Sequence, residues 1–198
     1  MYSKSEATID AILDAAERLF VAKHYADVTM DEIAEAAAVT KGALYHHFPG
    51  KQQLYLTMLH NDLERKQELF KQAVDSAGTC RDRLQRLTEA FFQLPGEKRR
   101  LIQLVRRDVN IFRNPERAKL VRAYQAALPD QVEAIIRDGV RDGELAKGDA
   151  RLLAWMHVAQ VEVLLADYAE KVFDSQRAML DYQTDLFFYG ASKRTASR

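Results

Sequence analysis

The sequence predicts an all-α fold of about nine helices, and three observations indicate it. Apolar residues recur with helical spacing in nearly every segment of the chain. Glycine and proline separate these segments, and no stretch of useful length shows the alternation expected of a β-strand. The chain has 198 residues, of which 47% are hydrophobic. It can therefore bury one sizeable core, or a small domain attached to a larger one.

The first three helices follow one another closely, and the second and third are short. On the first, one face collects the apolar residues Ile9, Ile12, Leu13, Ala16 and Phe20. Thr29 followed by Glu32 predicts a capping box at the start of the second helix. Thr40 is a candidate N-cap for the third helix, and Pro49-Gly50 ends it. Two short helices joined by a tight turn predict a helix-turn-helix, whose second helix enters the major groove of DNA.

Six longer helices are predicted after this motif. The fourth runs from Lys51 to about Ser76, where the region of Gly78 ends it. The other five are expected at about 79–94, 97–112, 115–140, 149–173 and 175–189. Pro115 suits the first turn of the seventh helix, and Pro129 is expected to kink it.

The distribution of charge around the motif favours a local contact with DNA. The formal net charge is zero, which argues against a general nucleic-acid coat protein. From Ala36 to Asn61, however, there is no acidic residue, while the same stretch contains two lysines and three histidines. A surface that approaches phosphates has to exclude carboxylates, because each would oppose the attraction that dominates affinity. A solvated surface that lacks acids by chance is the alternative.

The motif resembles the DNA-binding signature of the tetracycline-repressor (TetR) family of bacterial transcription regulators. The resemblance lies in TKGALYHHFPGKQQL at 40–54 and extends upstream to AILDAAERLFVAKHYADVTMDEIAEAA at 11–37. It covers roughly the first third of the chain, and the chain departs from it at Ala38, where the family usually has glycine. A non-glycine residue in the left-handed region costs roughly 1–2 kcal/mol, so we expect the turn to survive with slightly altered geometry.

The resemblance implies a ligand-responsive repressor that a small-molecule effector releases from its operator. It implies a DNA-binding domain at 1–50, a ligand-binding and dimerisation domain at 51–190 and a flexible basic tail at 191–198. The homodimer would bind a pseudo-palindromic site in double-stranded DNA. Residues expected at the DNA are Thr29, Thr40, Lys41, Gly42, Tyr45, His46 and, as a phosphate ligand at the start of the fourth helix, Lys51.

A hydrophobic effector is expected to bind among helices four to eight. The candidate cavity residues are Met58, Phe91, Leu104, Asp108, Phe112, Tyr124, Trp155 and Glu162. Asp108 and Glu162 lie on otherwise apolar faces, where an unpaired carboxylate is expensive. Each either lines the cavity or forms an internal ion pair, for which Arg106, Arg107 and Arg122 are candidates.

The eighth helix is apolar over most of its circumference, so it needs cover on two sides. One side can pack on its own subunit and the other on a second chain. The expected dimer contacts are Leu164, Tyr168, Leu180 and Phe187. The alternative is that both faces are buried within one subunit.

Other functional classes are not favoured by the residues. Cys80 is the single cysteine and has no CxxC partner, and there is no glycine-rich phosphate loop. We therefore expect no catalytic residue, no metal and no cofactor. No secretory signal and no apolar run of membrane-spanning length is present, so we expect a cytoplasmic protein without a membrane partner. A carboxy-terminal bundle that binds only a protein partner stays open as an alternative, and an enzyme is less favoured.

Overall fold

The computed structural model describes residues 4–190, and over that range the chain forms α-helices, two 3₁₀ turns and no strand. The helices are α1 (Lys4–Ala22), α2 (Met30–Ala36), α3 (Lys41–His47), α4 (Lys51–Val74), α5 (Cys80–Gln93), α6 (Gly96–Asp108), α7 (Glu116–Ala127), α8 (Pro129–Arg141), α9 (Ala150–Val163), α10 (Asp167–Val172) and α11 (Gln176–Tyr189). The 3₁₀ turns are Tyr25–Asp27 and Val109–Ile111. The all-α prediction is confirmed. Residues 4–190 form eleven α-helices where about nine were predicted, because two predicted helices are each divided.

The first division lies at Pro129, where the sequence predicted only a kink. Leu128 leaves the helical region, with φ −133° and ψ −65°, and Pro129 opens α8 in its first turn. Proline lacks the N–H that would continue the helix and disfavours helical geometry at the residue before it. The chain therefore forms α7 and α8 as separate helices.

The second division lies between α9 and α10. The N–H groups of Leu164, Leu165 and Ala166 bond three residues back, to Val161, Glu162 and Val163, so the end of the helix tightens. Ala166 is extended, with ψ 140°, and α10 begins at Asp167. The single helix predicted at about 149–173 is therefore divided into α9 and α10.

The chain divides into two compact units. The first unit contains residues up to Arg65 together with Pro95–Tyr124, and the second contains Lys66–Leu94 together with residues from Gln125 onward. This division differs from the predicted boundary after residue 50, because α6 and all but the last three residues of α7 belong to the unit that holds the helix-turn-helix. The predicted tail at 191–198 lies outside the described residues.

In the first unit, α1 packs against both α2 and α6. Phe20 of α1, Ile33 of α2 and Leu44 of α3 are fully buried in its core. Glu17 is buried on α1, and Lys98 of α6 donates to its carboxylate at 2.6 Å. Burial raises the pKa of Glu17, although the ion pair with Lys98 opposes that effect.

In the second unit, α8 packs along α9, and α5 contacts both α8 and α11. The approach of α5 to α8 requires a residue without a side chain. A Cβ atom at Gly139 would lie 2.7 Å from Cβ of Cys80, which is closer than real side chains approach. Gly139 thus fixes the spacing of these two helices, and Cys80 is fully buried at the crossing.

The turn between α2 and α3 is a Schellman motif with alanine at its left-handed position. Ala38 has φ 53° and is the one non-glycine residue with positive φ among residues 4–190. Its N–H bonds to the carbonyl of Glu35, and the N–H of Val39 bonds to the carbonyl of Ala34, both at 3.0 Å. These bonds satisfy the last carbonyls of α2 and set the exit of the chain toward α3.

Replacement of Ala38 by glycine should stabilise the protein. Glycine removes about 1–2 kcal/mol of left-handed strain, and its greater freedom in the unfolded chain returns part of this gain, about 0.4–1 kcal/mol. We expect a net gain of roughly 0.5–1 kcal/mol in the free energy of unfolding, measured by urea denaturation. A loss of stability would show that Ala38 makes packing contacts worth more than its strain.

Candidate DNA-binding surface and internal polar sites

The start of α2 is fixed by the predicted capping box. The Thr29 hydroxyl accepts a hydrogen bond from the N–H of Glu32, and the Glu32 carboxylate accepts from the N–H of Thr29. Lys23, just after α1, donates to the same carboxylate at 2.7 Å. Hydrogen bonds from Lys23 and then from Thr29 lower the pKa of Glu32 to about 2. The contact between Lys23 and Glu32 therefore joins the start of α2 to the end of α1.

The third helix is capped by Thr40, whose hydroxyl accepts a hydrogen bond from the N–H of Ala43 at 3.1 Å. Leu44 is its fully buried anchor. The residues that the sequence placed at the DNA share the solvent side of this helix: Thr40, Lys41, Gly42, Tyr45 and His46 are all exposed. Tyr45, with 45% of its surface accessible, is a large aromatic residue with its ring in solvent.

No neighbouring atom within 4 Å requires glycine at position 42. It lies in the first turn of α3, and a Cβ atom added there would meet nothing within 4 Å. Glycine inside a helix costs roughly 0.5–1 kcal/mol relative to alanine. The absence of a side chain therefore leaves space on the outside of the helix, where another molecule can approach the backbone.

An acidic residue lies beside this surface, although the surrounding sequence has none. Asp31 of α2 accepts from the Lys41 ammonium at 2.7 Å, and both side chains are more than half exposed. The hydrogen bond from Lys41 to Asp31 raises the pKa of Lys41. The stretch 36–61 has no acidic residue in sequence, but its surface is not free of acids. The turn between α2 and α3 brings Asp31 next to Lys41 at the start of α3.

Lys51 does not have the position predicted for a phosphate ligand. Its ammonium donates to the carbonyls of Tyr25 and Val28 at 2.8 Å and of Ala26 at 3.2 Å. It also lies 4.6 Å from the centre of the Tyr25 ring. A lysine has three N–H donors, and all three are used here. The predicted phosphate contact is therefore corrected: Lys51 holds the 3₁₀ turn Tyr25–Asp27 against the start of α4.

Tyr25 connects this contact to a buried aromatic cluster. Its ring packs against Phe20 at 5.9 Å, Tyr55 at 5.0 Å and Phe112 at 5.8 Å between ring centres. Phe20, Tyr55 and Phe112 are at most 4% exposed. The cluster joins the end of α1, the 3₁₀ turn Tyr25–Asp27, α4 and the residue that follows the second 3₁₀ turn, Val109–Ile111, all within the first unit.

The Asp108 carboxylate accepts hydrogen bonds from two side chains of the first unit. The Tyr55 hydroxyl donates to its carboxylate at 2.5 Å, and Arg107 donates to both carboxylate oxygens at 2.8 Å. Burial and the hydrogen bond to Asp108 raise the pKa of Tyr55 well above its usual value. Of the two interpretations of Asp108, the internal ion pair is confirmed, and a role as an effector ligand is not supported.

The other predicted cavity residues are distributed over both units. Met58, Leu104, Phe112 and Tyr124 are buried core residues of the first unit, and Phe91 is buried in the second. Trp155 is partly exposed, with the Arg151 guanidinium 5.6 Å from its ring centre, and Glu162 is also partly exposed. A common cavity formed by these residues stays a prediction.

The predicted dimer residues have three different environments. Leu180 and Leu164 are 2% and 8% exposed within the single chain, so neither offers a surface to a partner. Phe187 is partly exposed and packs edge-on against His157, with 5.0 Å between ring centres. Tyr168 is 76% exposed. The prediction for the two leucines is wrong, because their helical face turns toward the chain's own core.

A buried polar chain in the second unit was missed by sequence reasoning. His157, Gln183, Thr88 and Thr184 are each about 2% exposed or less. Burial lowers the pKa of His157 to about 4, so its ring is neutral at neutral pH. His157 and Gln160 both belong to α9, but the sequence alone cannot show that Gln183 of α11 meets them.

Metal binding and thiol chemistry have no support among residues 4–190. Among residues 4–190 no group of three or more His, Cys, Asp or Glu side chains is placed to hold a metal ion. Burial raises the pKa of the Cys80 thiol to about 12, so its reactive thiolate form is suppressed. None of the helices in the described range is long and apolar enough to cross a membrane.

Comparison with known proteins matches both halves of the chain to one family. Residues 12–58 match the family described as "Bacterial regulatory proteins, tetR family", and residues 77–166 match "Tetracyclin repressor-like, C-terminal domain". The chain belongs to the TetR family. The first match contains the whole helix-turn-helix, and in this TetR-family chain Ala38 lies at its left-handed turn position.

One relative and two solved structures of other proteins illustrate what this TetR-family chain is similar to. The HTH-type transcriptional activator FasR of Mycolicibacterium smegmatis is 32% identical over 143 residues, which cover 72% of this chain and 64% of FasR. The fold is similar to that of FadR from Bacillus subtilis in complex with stearoyl-CoA, with 18% identity, a TM-score of 0.77 and coverage of 92% and 99% of the two chains. It is also similar to AibR in complex with isovaleryl coenzyme A and operator DNA, with 22% identity, a TM-score of 0.74 and coverage of 91% and 98%.

Replacement of Lys51 by methionine distinguishes its observed role from the predicted one. The change keeps the aliphatic stem and removes the three hydrogen bonds to the 3₁₀ turn. We expect the free energy of unfolding to fall by about 1–3 kcal/mol. The slope of log affinity for DNA against log salt should stay unchanged, because no phosphate contact is lost.

Lys71 of the same helix is exposed and supplies the matched control, so Lys71→Met should change neither quantity. The opposite result for Lys51→Met, with unchanged stability and a salt slope lowered by about one, would restore the phosphate contact.

Proposed function

We propose that the protein is a homodimeric DNA-binding transcriptional regulator, most simply a cytoplasmic repressor that a small hydrophobic effector releases from its operator. The observation that carries the proposal is the solvent face of α3, where Gly42 leaves the backbone open beside Lys41, Tyr45 and His46. Among residues 4–190 nothing occupies the space outside Gly42. A helix presented in this way fits the major groove.

The proposed contacts divide into two kinds. Lys41, Tyr45 and His46 would reach base edges or phosphates from the side of α3, and Gly42 would lie against the DNA. Thr29 and Thr40 lie at the amino-terminal ends of α2 and α3, where free N–H groups and the helix dipole favour an anion such as a phosphate. Lys51 would act indirectly, by holding the turn that precedes α2.

An apolar effector is supported by two proteins of the same fold. The B. subtilis protein was solved with stearoyl-CoA, and AibR with isovaleryl coenzyme A and operator DNA. We propose that residues 1–50 bind DNA and residues 51–190 bind the effector and the second subunit. An activator is the second candidate, because the relative from M. smegmatis is described as a transcriptional activator. No catalytic activity is proposed.

The second subunit would cover exposed apolar residues of α9, α10 and α11. On α9, Leu152, Met156 and Val163 follow helical spacing and are 60%, 50% and 67% exposed. Exposed residues of the same character continue on the two following helices: Tyr168 and Val172 of α10, and Tyr182 and Tyr189 of α11. So many large apolar side chains in solvent are typical of a surface that another protein covers. Of the residues predicted from sequence, Tyr168 alone belongs to this set.

Substitution of Gly42 by alanine should separate folding from DNA binding. We expect a gain of about 0.5–1 kcal/mol in stability, because helical glycine is unfavourable and the space is open. Affinity for a DNA site selected from a random library should fall about tenfold, or ~1.4 kcal/mol, because the added methyl group meets the DNA.

Gly148, outside the helix-turn-helix, has only ordinary contacts near an added Cβ, so Gly148→Ala is the matched control and should leave DNA affinity unchanged. Unchanged DNA affinity in Gly42→Ala would remove α3 from the interface and with it the basis of the proposal.

Charge placed on the exposed face should prevent dimer formation without unfolding the chain. Met156→Glu is expected to give a monomer by sedimentation equilibrium, with retained helical circular dichroism and lost operator binding. Leu180→Glu is the contrasting variant, because its side chain is buried in one chain. It should lower the free energy of unfolding by about 3 kcal/mol or more. A Met156→Glu protein that stays dimeric would place the interface elsewhere.

A further inference from the structure

The positive charge of the first unit is concentrated outside the helix-turn-helix. Two parts of the chain form this unit, and the first, up to Arg65, contains six basic and ten acidic residues. The second part, Pro95–Tyr124, contains nine basic and three acidic residues, although the whole chain has no net charge. The part with the recognition helix is therefore acidic, and the part with α6 and most of α7 is strongly basic.

The lysines nearest the helix-turn-helix already have partners. Lys23 pairs with Glu32 and Lys41 pairs with Asp31, both at 2.7 Å. The Lys51 ammonium donates to three backbone carbonyls. Each of the two ion pairs is neutral as a unit, so neither attracts a polyanion strongly from a distance. The attraction that brings DNA to this unit has to come from other cations.

Four cations of the second part have no such partner. Arg113, Arg117, Lys119 and Arg122 are all exposed. Within the described range 4–190, none of their side chains forms a hydrogen bond or an ion pair. One acidic residue, Glu116, lies among them in the sequence. The basic segment 113–122 therefore presents unpaired positive charge to solvent.

The basic segment begins close to the helix-turn-helix. Phe112, the residue before it, packs against Tyr25 with 5.8 Å between ring centres. The Lys51 ammonium lies 4.6 Å from the centre of the same Tyr25 ring. The Phe112 ring is therefore no more than about 10 Å from the start of α4, which is about one Debye length at 0.1 M salt. Charge at this position acts on a molecule that approaches the motif.

A second contact places the middle of the segment near the end of the recognition helix. Lys119 of α7 lines a groove together with Pro49 and Gly50, which follow α3. The groove belongs entirely to the first unit. The basic segment is therefore adjacent both to the turn that precedes α2 and to the chain that leaves α3.

The arrangement of the cations favours attraction at a distance over direct contact. At about 100° per residue, Arg122 and Lys119 lie about 140° and 200° around α7 from Arg117. One duplex cannot contact side chains spread over so much of a helix. Their electric fields nevertheless add outside the protein, and such fields raise the rate at which an oppositely charged partner associates.

We propose that the basic segment steers duplex DNA toward the helix-turn-helix and raises the rate of association without holding the bound DNA. The inference rests on the proposed function. It gives residues outside the predicted DNA-binding domain at 1–50 a part in DNA recognition. The unit has fifteen basic and thirteen acidic residues, so without the four unpaired cations its acids would outnumber its bases and repel DNA.

The test measures how fast the full chain binds a fluorescent duplex that contains a site selected from a random library. Arg117→Gln/Arg122→Gln removes two charges and keeps good helix formers. Stopped-flow fluorescence should show association about threefold slower at about 10 mM salt, where the Debye length is about 30 Å. The difference should disappear at about 0.3 M salt. The dissociation rate should be unchanged at both concentrations.

Two further variants separate steering from other effects of charge. Arg117→Lys/Arg122→Lys keeps both charges and should associate as fast as the wild type, because steering does not need the geometry of a guanidinium. Lys71→Gln/Lys147→Gln lowers the net charge by the same amount through exposed side chains of the second unit. This control should leave the association rate unchanged.

Three results would overturn the proposal. The first is an unchanged association rate in the glutamine variant, or an equal loss in the control variant. The second is faster dissociation of the glutamine variant from DNA, which would indicate direct phosphate contacts. The third is conversion of dimers into monomers by the glutamine substitutions in sedimentation equilibrium, which would assign the segment to contact with the second subunit.

Failure of steering and failure of the proposed function give different results. If the wild-type protein selects no DNA site, the proposed function fails, and this inference fails with it. If Gly42→Ala weakens DNA binding while the glutamine variant associates at the wild-type rate, the regulator stands and steering alone fails.

Discussion

The contact of one ammonium group with three carbonyls holds the segment that leads into the helix-turn-helix. Lys51 holds the turn Tyr25–Asp27, and α2 starts three residues after that turn. The same turn places the Tyr25 ring in the aromatic cluster, and through Tyr55 the cluster reaches the Asp108–Arg107 pair. Arg107 in turn donates to the carbonyls of Phe20 and Lys23 at the end of α1. A motion at the end of α6 would therefore change contacts at both ends of the segment that leads into α2, within one compact unit.

Local chemistry explains which elements could be predicted from the sequence. The capping residues Thr29 and Thr40 act within four residues, so a single sequence contains the whole signal. The sequence predicts a kink at Pro129, whereas the structure has a complete break between α7 and α8 there. The extent of the disruption depends on how α8 packs, which the sequence does not show. The break at Leu164–Ala166 has no proline or glycine to mark it, and packing of the following short helix decides it. Lys51 was misassigned for the same reason, because its partners lie more than 20 residues earlier in the chain.

Burial within a single chain changes which residues are candidates for the proposed dimer face, although that face still lies on the last helices. Helical spacing alone placed Leu180 and Tyr168 in the same class, although one is 2% and the other 76% exposed. The difference follows from which face of α11 meets α5 and α9, and a sequence without known contacts leaves that face undetermined. The same contacts bring Gln183 to His157, so the buried polar chain was also inaccessible to sequence reasoning.

The pair between Asp31 and Lys41 has a consequence for any phosphate that approaches the start of α3. The Lys41 ammonium already has a carboxylate at 2.7 Å, so the two charges largely cancel and the pair attracts a distant phosphate backbone only weakly. A phosphate in direct contact with Lys41 would have to share the ammonium with Asp31 or displace it. Lys41 would therefore gain a new partner by exchange, and the net strength of that contact would be the difference between two ion pairs.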